Sequence, residues 1–201
     1  RIVSLKNGKT SGSIRARFHW NNHQGTVLLE EDRTMTFYDA PDTRTIDFDI
    51  TLSAPGERVV LGDAKDGAFA MRLSDSLRED KGSGHIVNAD GRHGEAEVWG
   101  LRSNWVDYSG AIDGEKLGVA MLDHPENFRH PERWHVRGYG LFAVNPFGNH
   151  VFDKSAPEQT TVIEKGKSLR YRWRVVIHPG DAGAAPAAPS AGGSEADHDP
   201  R

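Results

Sequence analysis

The chain has 201 residues, with 25 Lys and Arg against 29 Asp and Glu, a formal net charge of −4, and no cysteine. That length suits one domain with a real hydrophobic core. The mixed, mildly acidic charge offers no basic stripe for nucleic acid and no Lys/Arg cluster for an anionic membrane surface. Without cysteine there is no disulfide, no thiolate nucleophile and no Cys-ligated zinc.

Taken in chain order, the dominant period is two. In SIRARFHW, Ile14, Ala16 and Phe18 alternate with Arg15, Arg17 and His19. From Val27 to Phe37, the residues Val27, Leu29, Met35 and Phe37 share one face, with Glu31 and Arg33 between them. In TIDFDITLS, Ile46, Phe48, Ile50 and Leu52 alternate with polar residues. Each segment has the alternation of a strand with one face in the core and one in water. Val59 to Leu61, Phe69 to Leu73 and Gly118 to Leu122 are further expected strands, and Asp75 to Lys81 suits one helical turn. In LRYRWRVVI, the residues Leu169, Tyr171, Trp173, Val175 and Ile177 alternate with three arginines.

Turn signals separate these segments: Asn7-Gly8, Pro41-Asp42, Pro55-Gly56, Asp66-Gly67, Asp90-Gly91, Asp113-Gly114 and Lys165-Gly166. The pattern predicts an all-β fold, an antiparallel β-sandwich, over residues 1–180. Residues 181–201 are Ala, Gly, Pro and Ser with a few acids and no large apolar side chain, which predicts a disordered tail. No apolar run approaches the roughly 20 residues that span a bilayer, so no membrane insertion is expected. The chain opens at Arg1 without a signal-peptide pattern and reads as a fragment or a processed form, compatible with cytoplasm or periplasm. Oligomeric state is not encoded in any pattern found.

The chemistry concentrates in LDHPENFRHPERWH, Leu122 to His135. Proline fixes its own φ and pushes the preceding residue toward extended backbone, so Pro125 and Pro131 restrict His124 and His130. Polar groups held in advance bind at lower entropic cost. Histidine can give or take a proton near neutral pH, which makes His124 and His130 candidate general acid and base. Asp123, Asn127, Arg129, Arg133, Trp134 and His135 supply acceptors, forked donors and a flat apolar face for substrate. Asp123, or Asp107 in WVDYSG, is a candidate for orienting a catalytic histidine, and Tyr108 lies beside Asp107, although a strand with a buried Trp105 and Tyr is the plainer reading. In GDAKDG, Lys65 is a candidate site residue within what also reads as a charged turn made by Asp63, Lys65 and Asp66. For each histidine a purely structural role, capping backbone groups in a Pro-rich loop, is the competing reading.

Spacings of six and five among His124, His130 and His135 do not match a two-His motif on one helix face. No metal or other cofactor is therefore assigned, and metal is not excluded. Aromatic faces beside His, Asp, Asn and Arg suit a sugar, whose C–H faces stack and whose hydroxyls need directional partners. The expected partner is a carbohydrate or other small molecule.

GDAKDGAFAMRL, VWGLRSNWVDYSG, GVAMLDHPENFRHPERWHVRGYGLFAVNPFG and SLRYRWRVVIHPGD, in this order, resemble the bacterial PmoA-like family, labelled methane oxygenase PmoA, over roughly residues 1–180. The resemblance implies a large β-sandwich similar to the galactose-mutarotase supersandwich, in bacteria rich in carbohydrate-degrading genes. A membrane methane monooxygenase subunit is a bundle of apolar helices, a pattern this chain lacks. Members of the family carry an upstream segment resembling D-H-P-H-H-x-G-L-W that this sequence does not contain, so a sandwich truncated at its N-terminus is expected. Three functions follow as expectations: a carbohydrate-active enzyme using loop histidines as general acid and base, a non-catalytic carbohydrate-binding module, and a metal-dependent oxygenase as the label suggests.

Overall fold

The computed structural model describes residues 1–182. Numbered in chain order, these residues form thirteen strands. Eight make one antiparallel sheet, in the order β1 (Ile2–Asn7), β2 (Ser11–Asn21), β3 (Val27–Tyr38), β4 (Arg44–Ser53), β13 (Ser168–Pro179), β9 (Glu115–Asp123), β8 (Trp105–Ile112) and β7 (His85–Asn88). A three-stranded sheet, β10 (Arg133–Val136), β11 (Leu141–Asn145) and β6 (Phe69–Arg72), packs on one face of it. A two-stranded ribbon joins β12 (Thr161–Ile163) to β5 (Val59–Leu61). The expected antiparallel, sandwich-like all-β fold is what the chain adopts.

Alternation explains the layers. On β13, Tyr171, Trp173 and Val175 point into the core, and the arginines between them face out. Register carries that face across the sheet, with Ile50 opposite Tyr171, Phe48 opposite Trp173, and Met121 opposite Val175. Trp134, Val136, Phe142 and Val144 come down from the three-stranded sheet to meet them. Phe69, Trp173 and Tyr171 stack nearly parallel, with centroids 5.2 and 5.3 Å apart. Burying each such side chain contributes about 1.5–3 kcal/mol.

The outer face is held by cross-strand ion pairs, Arg15 with Asp32, Arg170 with Asp49, and Arg174 with Asp47. The tight turn between β8 and β9 uses Asp113 and Gly114, both at positive φ, as a two-residue hairpin demands. The expected helical turn is a 3-10 turn, Asp75–Leu77, and a short helix α1 spans Gly94–Val98. Among the described residues, no helix is long and apolar enough to cross a membrane.

The three-stranded layer covers the middle of the large sheet more fully than its β1–β3 wing. On that wing Ile2, Leu5, Phe18, Trp20 and Phe37 stay exposed. Of the expected tail, Asp181 and Ala182 are packed: Lys116 pairs with Asp181, and the Ala182 amide donates to Ser109 Oγ. The remainder, 183–201, lies outside the described residues.

Candidate active site

β9 ends at Asp123, whose partner on β13 is Trp173. Paired residues share a face, so the Asp123 carboxylate turns inward beside the Trp173 indole. Three donors converge on it. His130 Nδ1 lies 2.7 Å from Oδ2, the Glu132 backbone N–H donates to the same oxygen at 2.9 Å, and Asn127 Nδ2 donates to Oδ1 at 2.8 Å. Burial pushes the Asp123 carboxyl up, and these donors work against that rise.

The loop from His124 to Pro131 wraps around this carboxylate. Asn127 pins it to β13: its side chain donates to the Arg172 carbonyl and accepts the Arg172 amide, both at 2.7 Å. Arg129 sits at φ 72°, a region side-chain-bearing residues seldom occupy. Its guanidinium donates to the Pro146 and Thr160 carbonyls and lies over the Phe128 ring, which holds it there. The His130–Pro131 peptide is cis.

His130 is thereby oriented through Nδ1. Among the described residues its Nε2 has no hydrogen-bond partner, and its side chain remains one-fifth exposed (20%). His124 is capped differently. Its Nδ1 accepts the Glu126 amide at 3.1 Å, which puts the imidazole hydrogen of the neutral ring on Nε2. Burial first, then the Arg172 guanidinium, lowers the His124 pKa, and the neighbouring His130 acts in the same direction. With the Asp123 carboxyl ionised, His130 carries its hydrogen on Nδ1 and its Nε2 is bare, whereas neutral His124 carries hydrogen on Nε2.

Glu132 was not singled out by sequence. It is fully buried, and Trp173 Nε1 donates to its Oε2 at 3.2 Å, while its Oε1 has no partner. Burial first, then the nearby Asp123, raises its carboxyl well above the usual range. Glu132 lies behind the Asp123–His130 pair, its own backbone N–H donating to the carboxylate that holds the histidine. Tyr171, also fully buried, has an unpartnered hydroxyl and is raised by burial and by Glu132. Only strand register could have revealed these residues.

Other expected site residues go elsewhere. Asp107 pairs with Ala120, three residues from Asp123, so it faces the opposite side of the sheet. There it meets buried His178, with Nε2 2.8 Å from Asp107 Oδ2, and orients no loop histidine. Tyr108 is core: its hydroxyl donates to a backbone carbonyl, with Arg137 O and Leu141 O both at 3.0 Å. Trp134 is also core, its Nε1 donating to the Ser103 carbonyl, so it offers no face to a ligand.

His135 follows Trp134 on a strand and so points to the other side of the three-stranded sheet. It packs against Trp99 and Phe152, with Nδ1 on the Lys65 carbonyl. The expected convergence of three histidines is therefore reduced to two. Lys65 places its ammonium on exposed Asp66 and uses only its carbonyl inward. Arg133 is tied to Asn149 and the Gly100 carbonyl. Asp63 is an organiser: it accepts amides from Asn149, His150, Val151 and Gln159. Among the described residues, no group of three or more His, Cys, Asp or Glu is arranged to hold a metal ion.

The model of a family of unknown function, DUF6807, matches residues 1–191. The chain belongs to that family. No curated protein matches this DUF6807 member. Among solved structures, the Slr1438 protein from Synechocystis sp. PCC 6803 is similar over 90% of this chain and 66% of its own, at 8% identity and a TM-score of 0.39.

Proposed function

We propose that this DUF6807 member is a carbohydrate-active enzyme in which His130 takes and returns a proton of a sugar or sugar derivative while His124 donates a hydrogen bond to it. The observation that carries the reading is the His130–Asp123 pair. A buried carboxylate on a strand end fixes Nδ1, and that leaves Nε2 as a bare base near solvent. An imidazole so held pays little to orient and can take a proton in the transition state. His124, a neutral ring with hydrogen on Nε2, can donate a hydrogen bond to a substrate oxygen. A base that takes a proton and returns it as its conjugate acid, near a hydrogen-bond donor, suits ring opening, isomerisation or elimination on a sugar. The resemblance of the sequence to the PmoA-like family, which implies a mutarotase-like sandwich, points to the same substrate class.

The test is turnover with stability measured alongside. Mutarotation of freshly dissolved aldoses is followed by polarimetry, and nitrophenyl glycosides by phenolate release. The expected result is that wild type accelerates at least one reaction. His130→Ala and His124→Ala should each abolish it with a nearly unchanged melting temperature. Equal rates in wild type and His130→Ala, or a large loss of stability in both variants, would favour a purely structural loop.

A further inference from the structure

On the inner face of the β1–β3 wing, Glu31 is a charged residue in an unusual place. It interrupts an apolar stripe and is only 4% exposed. Its two oxygens are committed to two different side chains. Trp20 Nε1 donates to Oε2 at 2.9 Å, and Arg33 donates to Oε1 through Nε at 2.7 Å and approaches it through Nη2 at 2.6 Å. The guanidinium in turn lies 5.1 Å over the Phe18 ring. One buried carboxylate thus fixes an indole and a guanidinium at the rim of a small recess. Ile50, Leu52 and Ala68 form its walls, and Tyr171 and Trp173 complete it.

Trp20 remains 38% exposed although its Nε1 is fixed. A flat apolar face held next to a guanidinium whose Nη1 has no hydrogen-bond partner among the described residues suits a ligand with one C–H face and hydroxyls around its edge. The recess has room for about one water molecule, the size of one hydroxyl group. It therefore admits a substituent and leaves the ring outside, against Trp20.

We propose that Trp20, Glu31 and Arg33 form a subsite for a pyranose ring, stacked on the Trp20 indole with one hydroxyl entering the recess beside Arg33. The subsite rests on the reading of the protein as carbohydrate-active, but not on turnover. Trp173 connects the two regions, since it lines the recess and donates to Glu132, whose amide donates to Asp123. The sugar would be gripped at the recess and presented toward the histidine side of that wall.

Calorimetric titration with the methyl glycosides of glucose, galactose, mannose and xylose tests this. Wild type should bind at least one of them. Trp20→Ala should weaken that binding roughly tenfold, the size of one lost aromatic contact, and Trp20→Phe should restore most of it. Binding with no turnover in wild type would sink only the catalytic reading, which separates it from the subsite. Two results would overturn the subsite: no binding of any glycoside, or equal binding by Trp20→Ala. Sedimentation of wild type as a dimer that Trp20→Ala dissociates would likewise overturn it, because the wing would then be a protein interface.

Discussion

His130 Nδ1 lies 2.7 Å from Asp123 Oδ2, joining a loop imidazole to the end of a central strand. Asp123→Asn separates the two jobs of that carboxylate. An amide cannot accept from both the Glu132 N–H and His130 Nδ1–H at one nitrogen, so one buried donor loses its partner, at a cost of about 1–3 kcal/mol. If the amide turns its nitrogen to His130, the ring must move its hydrogen to Nε2 and ceases to be a base. The expected outcome is a turnover loss of about a hundredfold or more with a lowered melting temperature, read by the sugar assays and thermal denaturation.

Glu132 gives a pH signature. In the unfolded chain a glutamate ionises near about pH 4.3, whereas burial and Asp123 keep the folded carboxyl protonated to higher pH. Stability from this group is complete below the unfolded value and is lost as pH rises toward the folded one. Glu132→Gln removes the titration and can still accept from Trp173. Its advantage over wild type should therefore grow from acid toward neutral pH, by about 1.4 kcal/mol per pH unit between the two values. Denaturant melts at several pH values measure it; a constant difference across that range contradicts a neutral Glu132.

Asp63 has the opposite sign. Burial alone would raise it, but four backbone donors outweigh burial and hold its carboxyl at about 2. The stability it contributes is present above the unfolded value and is lost as pH falls through about 2. Asp63→Asn should destabilise at neutral pH by about 2 kcal/mol, and the difference from wild type should shrink in acid.

On the outer face, the His178 ring lies against Gly118, so that a Cβ there would sit 2.3 Å from His178 Cε1. That close approach lets Nε2 reach Asp107, while Nδ1 lies 3.0 Å from the Pro179 carbonyl. Because a carbonyl only accepts, Nδ1 carries hydrogen, and a further proton must lie between Nε2 and the carboxyl. Gly118→Ala should cost about 1–3 kcal/mol by overpacking. In a double-mutant cycle, its effect and that of Asp107→Asn should be less than additive, since either change disrupts the same contact.

The strands that carry the site were legible because their alternation is strong: Ile46 to Leu52 and Leu169 to Val175 occupy the expected faces, while Ile177, at the end of the stripe, is exposed. The link between His124, His130 and Asp123 was also legible, because proline stiffening acts locally. The rest depended on register. Trp134 and His135 are neighbours in sequence, but a strand sends them to opposite sides of its sheet. Asp107 and Asp123 lie on paired strands and face away from each other for the same reason. Glu132, Tyr171 and Trp173 come together only when β13 lies beside β9. Glu31 looked like an interruption of an apolar stripe until its partners Trp20 and Arg33 were placed.

The most direct measurement of the central idea is nitrogen NMR of histidine-labelled protein at a pH where His130 is neutral. The account requires hydrogen on His130 Nδ1, bonded to Asp123, and a bare Nε2. A neutral His130 with hydrogen on Nε2 would mean that the carboxyl donates the proton instead, and the proposed base would not exist.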